Sequence, residues 1–320
     1  MSSASLGTIQ QLQRWLSDQI LGQSQLVERL LISLLADGHL LVEGAPGLAK
    51  TKAIKTLADG LEASFQRVQF TPDLLPGDVT GTDIFRPETA QFEFQRGPIF
   101  HNLVLADEIN RAPAKVQSAL LEAMAERQVS VGSHTWPLPD LFLVMATQNP
   151  LEQEGTYPLP EAQLDRFLLH VNVDYPDAES ELNILRLVRQ ELKTNTSSPV
   201  QLSQADLFAA RSEVLNIHMA ESVERYIVAL VVATRNPSAL DDRLGQWIEV
   251  GASPRATLAI DRCARALAWL QGLDFVSPDH VQNIARDALR HRLILSFEAE
   301  AEGISRDAVI DRLLERVPAP

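Results

Sequence analysis

Five short apolar runs, separated mostly by helical stretches, constrain the fold of the first part of the chain. Each run is continuous rather than alternating in polarity, as expected for a strand that is covered on both faces. Strands that alternate with helices are typical of βαβ units. The pattern therefore predicts an α/β domain, with a parallel and helix-flanked sheet, over residues 1–175. The predicted strands are residues 39–43, 66–70, 102–106, 141–147 and 168–173.

The rest of the chain, residues 176–320, loses this β character. Two Ser-Pro pairs, at Ser253 and Ser277, each place a capping hydroxyl before a proline that suits the first position of a helix. We therefore predict a second domain that is all-helical. Its predicted helices are residues 177–193, 204–215, 222–235, 253–270, 277–293 and 306–316.

Composition limits the partners of this chain. With 320 residues, 45% of them hydrophobic, it can bury a substantial core. Its formal net charge of −14 provides no basic field for a phosphate backbone, which makes nucleic acid an unlikely main partner. The densest basic group, Arg286, Arg290 and Arg292, is interpreted as the solvated face of a late helix, with a binding patch as the alternative.

Cysteine usage and hydropathy indicate the compartment. The single cysteine, Cys263, falls on the apolar side of a predicted helix and excludes a disulfide within the chain, which favours a reducing environment. Residues 1–10 show no signal-peptide pattern. The apolar runs 30–36 and 227–233 are too short to span a bilayer. We expect a cytoplasmic protein that is not an integral membrane protein.

The strongest motif is GAPGLAKT at residues 44–51, which follows the first predicted strand and opens a helix. This is the context of a phosphate-binding loop, whose backbone N–H groups surround phosphates. Lys50 would bind the β- and γ-phosphate oxygens, and Thr51 would ligate Mg²⁺. Ala49 stands where the pattern usually has glycine. The alternative is a Gly/Pro turn with a chance lysine.

Two further strand ends carry polar side chains that suit nucleotide chemistry. The run LVLADE at residues 103–108 ends in two acids, at the edge of a parallel sheet where ligands bind. Asp107 would hold Mg²⁺, and Glu108 would orient and deprotonate the attacking water. Asn149, after the fourth strand, would sense the γ-phosphate. A helix cap for the acids and a simple Asn-Pro turn are the alternatives.

Three longer stretches resemble the MoxR family of AAA+ ATPases. They are DEINRA at residues 107–112, ATQNP at 146–150 and EQEGTYPLPEAQLDRF at 152–167. The LGQ of residues 21–23 and the phosphate-binding loop are similar to the same family, so that the resemblance extends over residues 20–295. It implies an AAA+ core with sheet order 5-1-4-3-2, a helical lid, and assembly into a ring, usually of six subunits.

The resemblance also implies roles for residues that spacing alone leaves open. ATP lies between subunits of such a ring, so Arg166 matches the arginine finger that reaches the next subunit's γ-phosphate, and Arg255 matches the second sensor on the lid. From the residues alone, a surface salt bridge beside Asp165 is favoured for Arg166, and Arg255 could equally form a structural salt bridge. The expected catalytic residues are Lys50, Glu108, Asn149, Arg166 and Arg255. The expected ATP-binding residues are Gly22, Gln23, Gly44, Ala45, Pro46, Gly47, Leu48, Ala49, Lys50, Thr51 and Asp107, with Mg²⁺ held by Thr51 and Asp107.

Two insertions are predicted to be hairpins. Residues 82–98 contain Phe85, Phe92 and Phe94, and residues 128–137 contain Trp136. In motors that resemble this chain such hairpins point into the ring pore and contact the client, whereas the alternative is that the aromatic side chains pack against the body.

The resemblance implies an ATP-hydrolysing, chaperone-like motor. Such a motor remodels or matures a partner protein, often one with a von Willebrand factor A domain, and in some cases acts during metal cofactor insertion. Three alternatives stay open: a nucleic-acid motor, a scaffold that binds nucleotide without hydrolysing it, and a subunit of chelatase or gas-vesicle type.

Overall fold

The computed structural model describes residues 4–132, 134–150, 155–191, 198 and 200–320. Within them, the first part of the chain alternates strands and helices. Its helices are α1 (Ala4–Gln19), α2 (Ser24–Leu35), α3 (Lys50–Asp59), α4 (Pro76–Thr80), α5 (Ala114–Glu126) and α6 (Glu161–Leu164). Its strands are β1 (Leu40–Gly44), β2 (Phe65–Gln69), β3 (Gly81–Arg86), β4 (Gln91–Arg96), β5 (Leu103–Asp107), β6 (Gln128–Val131), β7 (His134–Pro137), β8 (Leu143–Gln148) and β9 (Leu169–Val173).

Five of these strands form one parallel sheet in the order β2-β5-β8-β1-β9. They are the five strands predicted from the sequence, and each begins and ends within two residues of its predicted bounds. Numbered among themselves along the chain, they lie in the order 5-1-4-3-2, which confirms the predicted topology. Because all five are parallel, β1, β5 and β8 end at the same edge of the sheet.

Both faces of the sheet are covered, which explains why its strands are continuously apolar. On β1, Leu40 and Val42 pack into one hydrophobic cluster, and Leu41 packs into another on the opposite face. All three side chains are fully buried. A strand that packs on both faces cannot alternate between apolar and polar residues.

The second part of the chain is helical, with two short β ribbons. The ribbons pair β10 (His218–Met219) with β12 (Phe275–Val276), and β11 (Ile248–Val250) with β13 (Ile294–Leu295). The helices are α7 (Ala178–Glu191), α8 (Gln204–Leu215), α9 (Glu221–Arg235), α10 (Asp242–Trp247), α11 (Pro254–Leu270), α12 (Pro278–Leu289), α13 (Phe297–Ala301) and α14 (Arg306–Arg316).

The cap and the core face predicted for α11 are both observed. The Ser253 hydroxyl accepts a hydrogen bond from the backbone N–H of Arg255. Cys263 is fully buried on this helix, and burial raises the pKa of its thiol to about 12. Cys263 is therefore a core residue that stays protonated. Among the described helices, none is long and apolar enough to cross a membrane.

The interpretation of the late arginines as one solvated face was wrong for two of the three. Helix α12 ends at Leu289, before the predicted end, and a 3₁₀ turn over Arg290–Arg292 follows it. Arg290 and Arg292 are only 6% and 8% exposed. Arg290 is paired with two carboxylates and Arg292 with one, which offsets the cost of burying their charges. Arg286 is partly exposed and pairs with Asp311.

Both predicted hairpins are present. Strands β3 and β4 form one antiparallel pair, and β6 and β7 form the other. Phe94 stacks on Trp136 at a centroid distance of 4.8 Å, which joins the two hairpins. Phe85 and Phe92 contact each other at 5.3 Å yet remain 50% and 72% exposed. Some of the predicted aromatic side chains therefore pack between the hairpins, and others face solvent.

Candidate nucleotide-binding site

The loop of residues 44–51 turns sharply between the end of β1 and the start of α3. Gly47 has a φ of +84°, and Ala49 has a φ of +57° with a ψ of 14°. A side chain in this left-handed conformation costs roughly 1 kcal/mol, which glycine avoids. The backbone of Ala49 thus explains why glycine is the usual residue at this point of the motif. Alanine occupies the same conformation here.

Lys50 and Thr51 open helix α3 and point from the loop toward the end of the sheet. The ammonium group of Lys50 donates a hydrogen bond to the carbonyl oxygen of Gly44. Burial lowers the pKa of Lys50, and the negative charges of Asp107 and Glu108 oppose that shift. The fold therefore brings Lys50 into the field of both predicted acids.

These residues line one cavity of about 400 Å³ at the carboxyl edge of the sheet. Its basic side chains, Lys50, Lys52 and Arg67, suit a polyanionic ligand. The start of α3 adds backbone N–H groups and the positive end of a helix dipole. The lining residues are Pro46, Gly47, Leu48, Ala49, Lys50, Thr51, Lys52, Arg67, Gln69, Asp107, Glu108, Thr147 and Asn149.

The carboxylate of Asp107 is held by two neighbours. The hydroxyl of Thr147 donates to its Oδ1 at 2.6 Å. The guanidinium of Arg67 donates to its Oδ2 from Nη2 at 2.6 Å and from Nε at 3.1 Å. The carboxylate is therefore oriented by contacts from the strands on both sides of β5.

Glu108 is the first residue beyond β5, and its backbone is left-handed, with a φ of +55°. Its N–H donates to the hydroxyl oxygen of Thr147 at 2.9 Å. Its carboxylate accepts a hydrogen bond from Gln69 at 2.7 Å and lies 3.3 Å from the guanidinium of Arg111. The turn directs the two adjacent acids differently, so that Asp107 is buried and Glu108 is more accessible.

Asn149 follows β8 and is 6% exposed in the same cavity, beside the two acids. Residues 151–154, which include the first three residues of the family-like stretch 152–167, lie outside the described residues.

Four residues of this cavity were not predicted from the sequence as site residues: Lys52, Arg67, Gln69 and Thr147. Gln69 is paired in register with Asp107 in the sheet. The expected order 5-1-4-3-2 places these two strands side by side but does not give their register. Thr147 lies in the penultimate position of β8 and contacts both acids. The sequence feature that could have identified Thr147 is its position within the family-like stretch ATQNP.

The Gly22–Gln23 segment does not line this cavity. Gly22 has a φ of +74°, and an added Cβ would lie 2.7 Å from the Cβ of Pro176. The Gln23 side-chain amide donates to the carbonyl oxygen of Asp174 at 2.9 Å. These contacts fix the segment against the chain that leaves β9.

Arg166 and Arg255 also lie outside the nucleotide cavity, and they share a second cavity of about 350 Å³. Arg166 Nη1 donates to the carbonyl oxygen of Leu121 at 2.6 Å, and its Nε is buried without a hydrogen-bond partner among the described residues. The side chain of Arg255 is 56% exposed and lies 3.8 Å from Asp165. The fold thus groups the two arginines with each other and separates them from Lys50.

Comparison with known proteins agrees with this architecture. The sequence model of the protein family described as ATPase family associated with various cellular activities (AAA) matches residues 39–169. The sequence model of the AAA lid domain matches residues 241–313. A crystal structure of a Cytophaga hutchinsonii protein superimposes with a TM-score of 0.90 at 45% identity, covering 99% of this chain and 96% of that one.

Named relatives are similar over most of their length. The Mycobacterium tuberculosis protein called Chaperone MoxR1 is 49% identical over 94% of this chain and 79% of its own. The protein called MoxR of Paracoccus denitrificans is 32% identical over 95% of this chain and 94% of its own. Together with the parallel sheet, the helical lid and the site geometry, these similarities establish that the chain belongs to the MoxR family of AAA ATPases.

Proposed function

We propose that this chain binds ATP with Mg²⁺ and hydrolyses it to ADP and phosphate. One observation carries the proposal: Lys50, Thr51, Asp107, Glu108 and Asn149 line a single cavity although they come from three separate strand ends. Phosphoryl transfer needs positioning and charge stabilisation more than covalent chemistry, and this set supplies both.

Each residue has a role that its chemistry supports. Lys50 and the loop N–H groups bind the β- and γ-phosphates. The hydroxyl of Thr51 and the carboxylate of Asp107 are hard oxygen donors, which Mg²⁺ prefers, and when bound the ion neutralises charge on the phosphate oxygens. Glu108 accepts the proton of the attacking water, and Asn149 orients that water near the γ-phosphate.

We propose that Arg166 and Arg255 act on the nucleotide of a neighbouring subunit. Both side chains lie in a cavity that Lys50 does not line, which supports their action on the phosphates of a second copy. A planar guanidinium matches the equatorial oxygens that gain charge in phosphoryl transfer. We propose that the subunits share their sites in this way around a ring, and that the ring is a hexamer. Gly22 and Gln23 are proposed to pack on the adenine.

We further propose that ATP turnover drives the remodelling or maturation of a partner protein, in some cases one with a von Willebrand factor A domain or one that receives a metal cofactor. The exposed pair Phe85 and Phe92 supports a contact with that client. Residues 1–175 would act as the core and residues 176–320 as the lid. We place this activity in the cytoplasm, and the net charge of −14 argues against a nucleic-acid substrate.

The decisive experiment compares ATP turnover and ATP binding in the wild type and in Glu108→Gln. We expect turnover to fall at least about 100-fold, because general base catalysis contributes that much, while the affinity for ATP is retained. Glu224→Gln, on the surface of α9, is the matched control. Equal turnover in the wild type and Glu108→Gln would refute the proposed mechanism. Stimulation of turnover by DNA that weakens steeply with salt would favour a nucleic-acid motor instead.

A further inference from the structure

Arg292 is a buried arginine that makes five hydrogen bonds, and four of the five acceptor atoms belong to residues that flank Arg166. Its side chain is 3% exposed. Nε donates to the carboxylate of Asp165 at 2.6 Å, and Nη2 donates to the carbonyl oxygens of Phe167 at 2.7 Å and Asp165 at 3.3 Å. Nη1 donates to the carbonyl oxygens of Leu168, at 3.3 Å, and Ala288.

These contacts hold the main chain on both sides of Arg166. Arg292 bonds to the residue before Arg166 and to the two residues after it, but not to Arg166 itself. A guanidinium presents its donors in a rigid plane, so these acceptors are fixed relative to one another. Arg292, a residue of the lid, therefore fixes the main-chain conformation of the segment that carries Arg166.

The second carboxylate oxygen of Asp165 extends the same network to Arg255. It accepts a hydrogen bond from the hydroxyl of Ser253 at 2.8 Å and lies 3.8 Å from Nη1 of Arg255. Ser253 is the N-cap of α11, and Arg255 lies in the first turn of that helix. Asp165 is thus bound to both lid segments at once.

We propose that Arg292 is a positioning residue that, with Asp165, holds Arg166 and Arg255 in one fixed array for the nucleotide of the neighbouring subunit. This inference rests on the function proposed above, which assigns Arg166 and Arg255 to that nucleotide. Arg292 itself touches no nucleotide: it acts by fixing the main chain beside Arg166 and, through Asp165, the start of α11.

The test is Arg292→Lys, which keeps the charge and removes the planar fork. A misplacement of about 1 Å in a catalytic group costs about 100-fold in rate, and we expect kcat to fall by that order while the affinity for ATP stays at the wild-type value. Arg312→Lys is the matched control, since Arg312 also makes a two-point pair, with Asp241, but lines neither cavity. We expect its kcat to be unchanged.

Rings that contain two different variants can distinguish a misplaced Arg166 from damage to the nucleotide site of the Arg292→Lys subunit itself. Glu108→Gln subunits retain Arg166 and Arg292, and Arg292→Lys subunits retain Glu108. Mixing the two inactive variants should restore turnover at interfaces where an Arg292→Lys site receives Arg166 from a Glu108→Gln neighbour. Failure to recover activity would mean that the variant's own site is damaged, and would overturn the proposal.

If Arg292→Lys does not fold, Asp165→Asn removes the central acceptor charge with little change of shape and replaces it in both experiments. Wild-type kcat in the folded Arg292→Lys or Asp165→Asn variant, with Arg166→Ala inactive, would overturn this proposal and leave the proposed function intact. Full activity of Arg166→Ala would instead overturn the assignment of Arg166 in the proposed function.

Discussion

Arg67 on β2 and Asp107 on β5 form an ion pair in which the guanidinium donates two hydrogen bonds to a single carboxylate oxygen, at 2.6 and 3.1 Å. The same carboxylate is the proposed ligand of Mg²⁺, so the pair and the ion compete for it. Arg67 is 50% exposed, and such an ion pair is worth up to about 1 kcal/mol.

The first prediction follows from this competition. In Arg67→Gln we expect the Mg²⁺ concentration for half-maximal ATP turnover to fall by up to about five-fold, the equivalent of about 1 kcal/mol. Titration of Mg²⁺ at saturating ATP measures it. Arg86→Gln, which breaks the exposed pair with Glu93 on the β3–β4 hairpin, is the control. An unchanged or higher Mg²⁺ requirement in Arg67→Gln would show that the pair does not compete with the ion.

The second prediction concerns Thr147, which is buried and bonded to both acids. Thr147→Val keeps the shape but leaves an oxygen of Asp107 and the N–H of Glu108 without this partner. Losing such a partner costs about 1–3 kcal/mol. We expect reduced stability in denaturant unfolding and at least about ten-fold lower kcat, with Thr147→Ser restoring both. Wild-type turnover in Thr147→Val would exclude a role for this hydroxyl.

The third prediction concerns the arginine that we assign to the neighbouring site. Arg166→Ala should lose turnover by about 1,000-fold or more, the contribution usual for an arginine finger, and should keep its affinity for ATP. Arg225→Ala, an exposed arginine paired with Glu221 on α9, is the control and should be unaffected. Binding is measured with a fluorescent nucleotide and turnover by phosphate release. A parallel loss of binding and turnover would place Arg166 in its own subunit's site.

The fourth prediction concerns pH and His39. The ring is buried, accepts a hydrogen bond from the N–H of Val144 at 3.0 Å and donates one to the carbonyl oxygen of Met124 at 3.2 Å, so both nitrogens are satisfied only in the neutral form. Burial lowers the pKa of His39 from 6.5 to about 4. Between pH 6.5 and pH 4 the unfolded chain binds a proton at His39 that the folded chain does not bind. The stabilisation of the folded state by neutral His39 is therefore fully present above about pH 6.5 and is lost as pH falls toward 4.

The loss amounts to at most about 3 kcal/mol in the free energy of unfolding. Denaturant unfolding at intervals from pH 7 to pH 4.5 gives the free energy of unfolding as a function of pH. This free energy should fall less steeply with decreasing pH in His39→Gln than in the wild type, whatever the absolute stability of the variant. The slope should not vanish, because burial also lowers the pKa of His291. An identical slope in the wild type and His39→Gln would contradict the assignment.

The strands and the nucleotide loop could be predicted because their signals are local. A buried parallel strand is apolar over its whole length, and the GAPGLAKT loop needs its residues in a fixed order between a strand and a helix. The same holds for the N-cap at Ser253. The strand order itself came from the resemblance to a family and was confirmed by the structure.

The contacts that depend on distant parts of the chain could not be predicted in the same way. Helical spacing places Arg286 and Arg290 on one face but carries no information about a carboxylate at Asp165, which is what permits Arg292 to be buried. Likewise, the expected strand order places β2 next to β5, but the register and side-chain packing that bring Arg67 to Asp107 are set only in the folded sheet. The grouping of Arg166 with Arg255 depends on how the lid packs, which no local pattern records.

The stack of Phe94 on Trp136 ties the β3–β4 hairpin to the β6–β7 hairpin. The second of these is followed along the chain by β8, which carries Thr147 near its end and is followed by Asn149. A mechanical load applied to Phe92, near the outer end of the first hairpin, is therefore shared by both hairpins and has a short covalent route to the floor of the phosphate cavity. One pair of stacked aromatic rings therefore couples the exposed β3–β4 hairpin to the hairpin that precedes the strand at the nucleotide cavity.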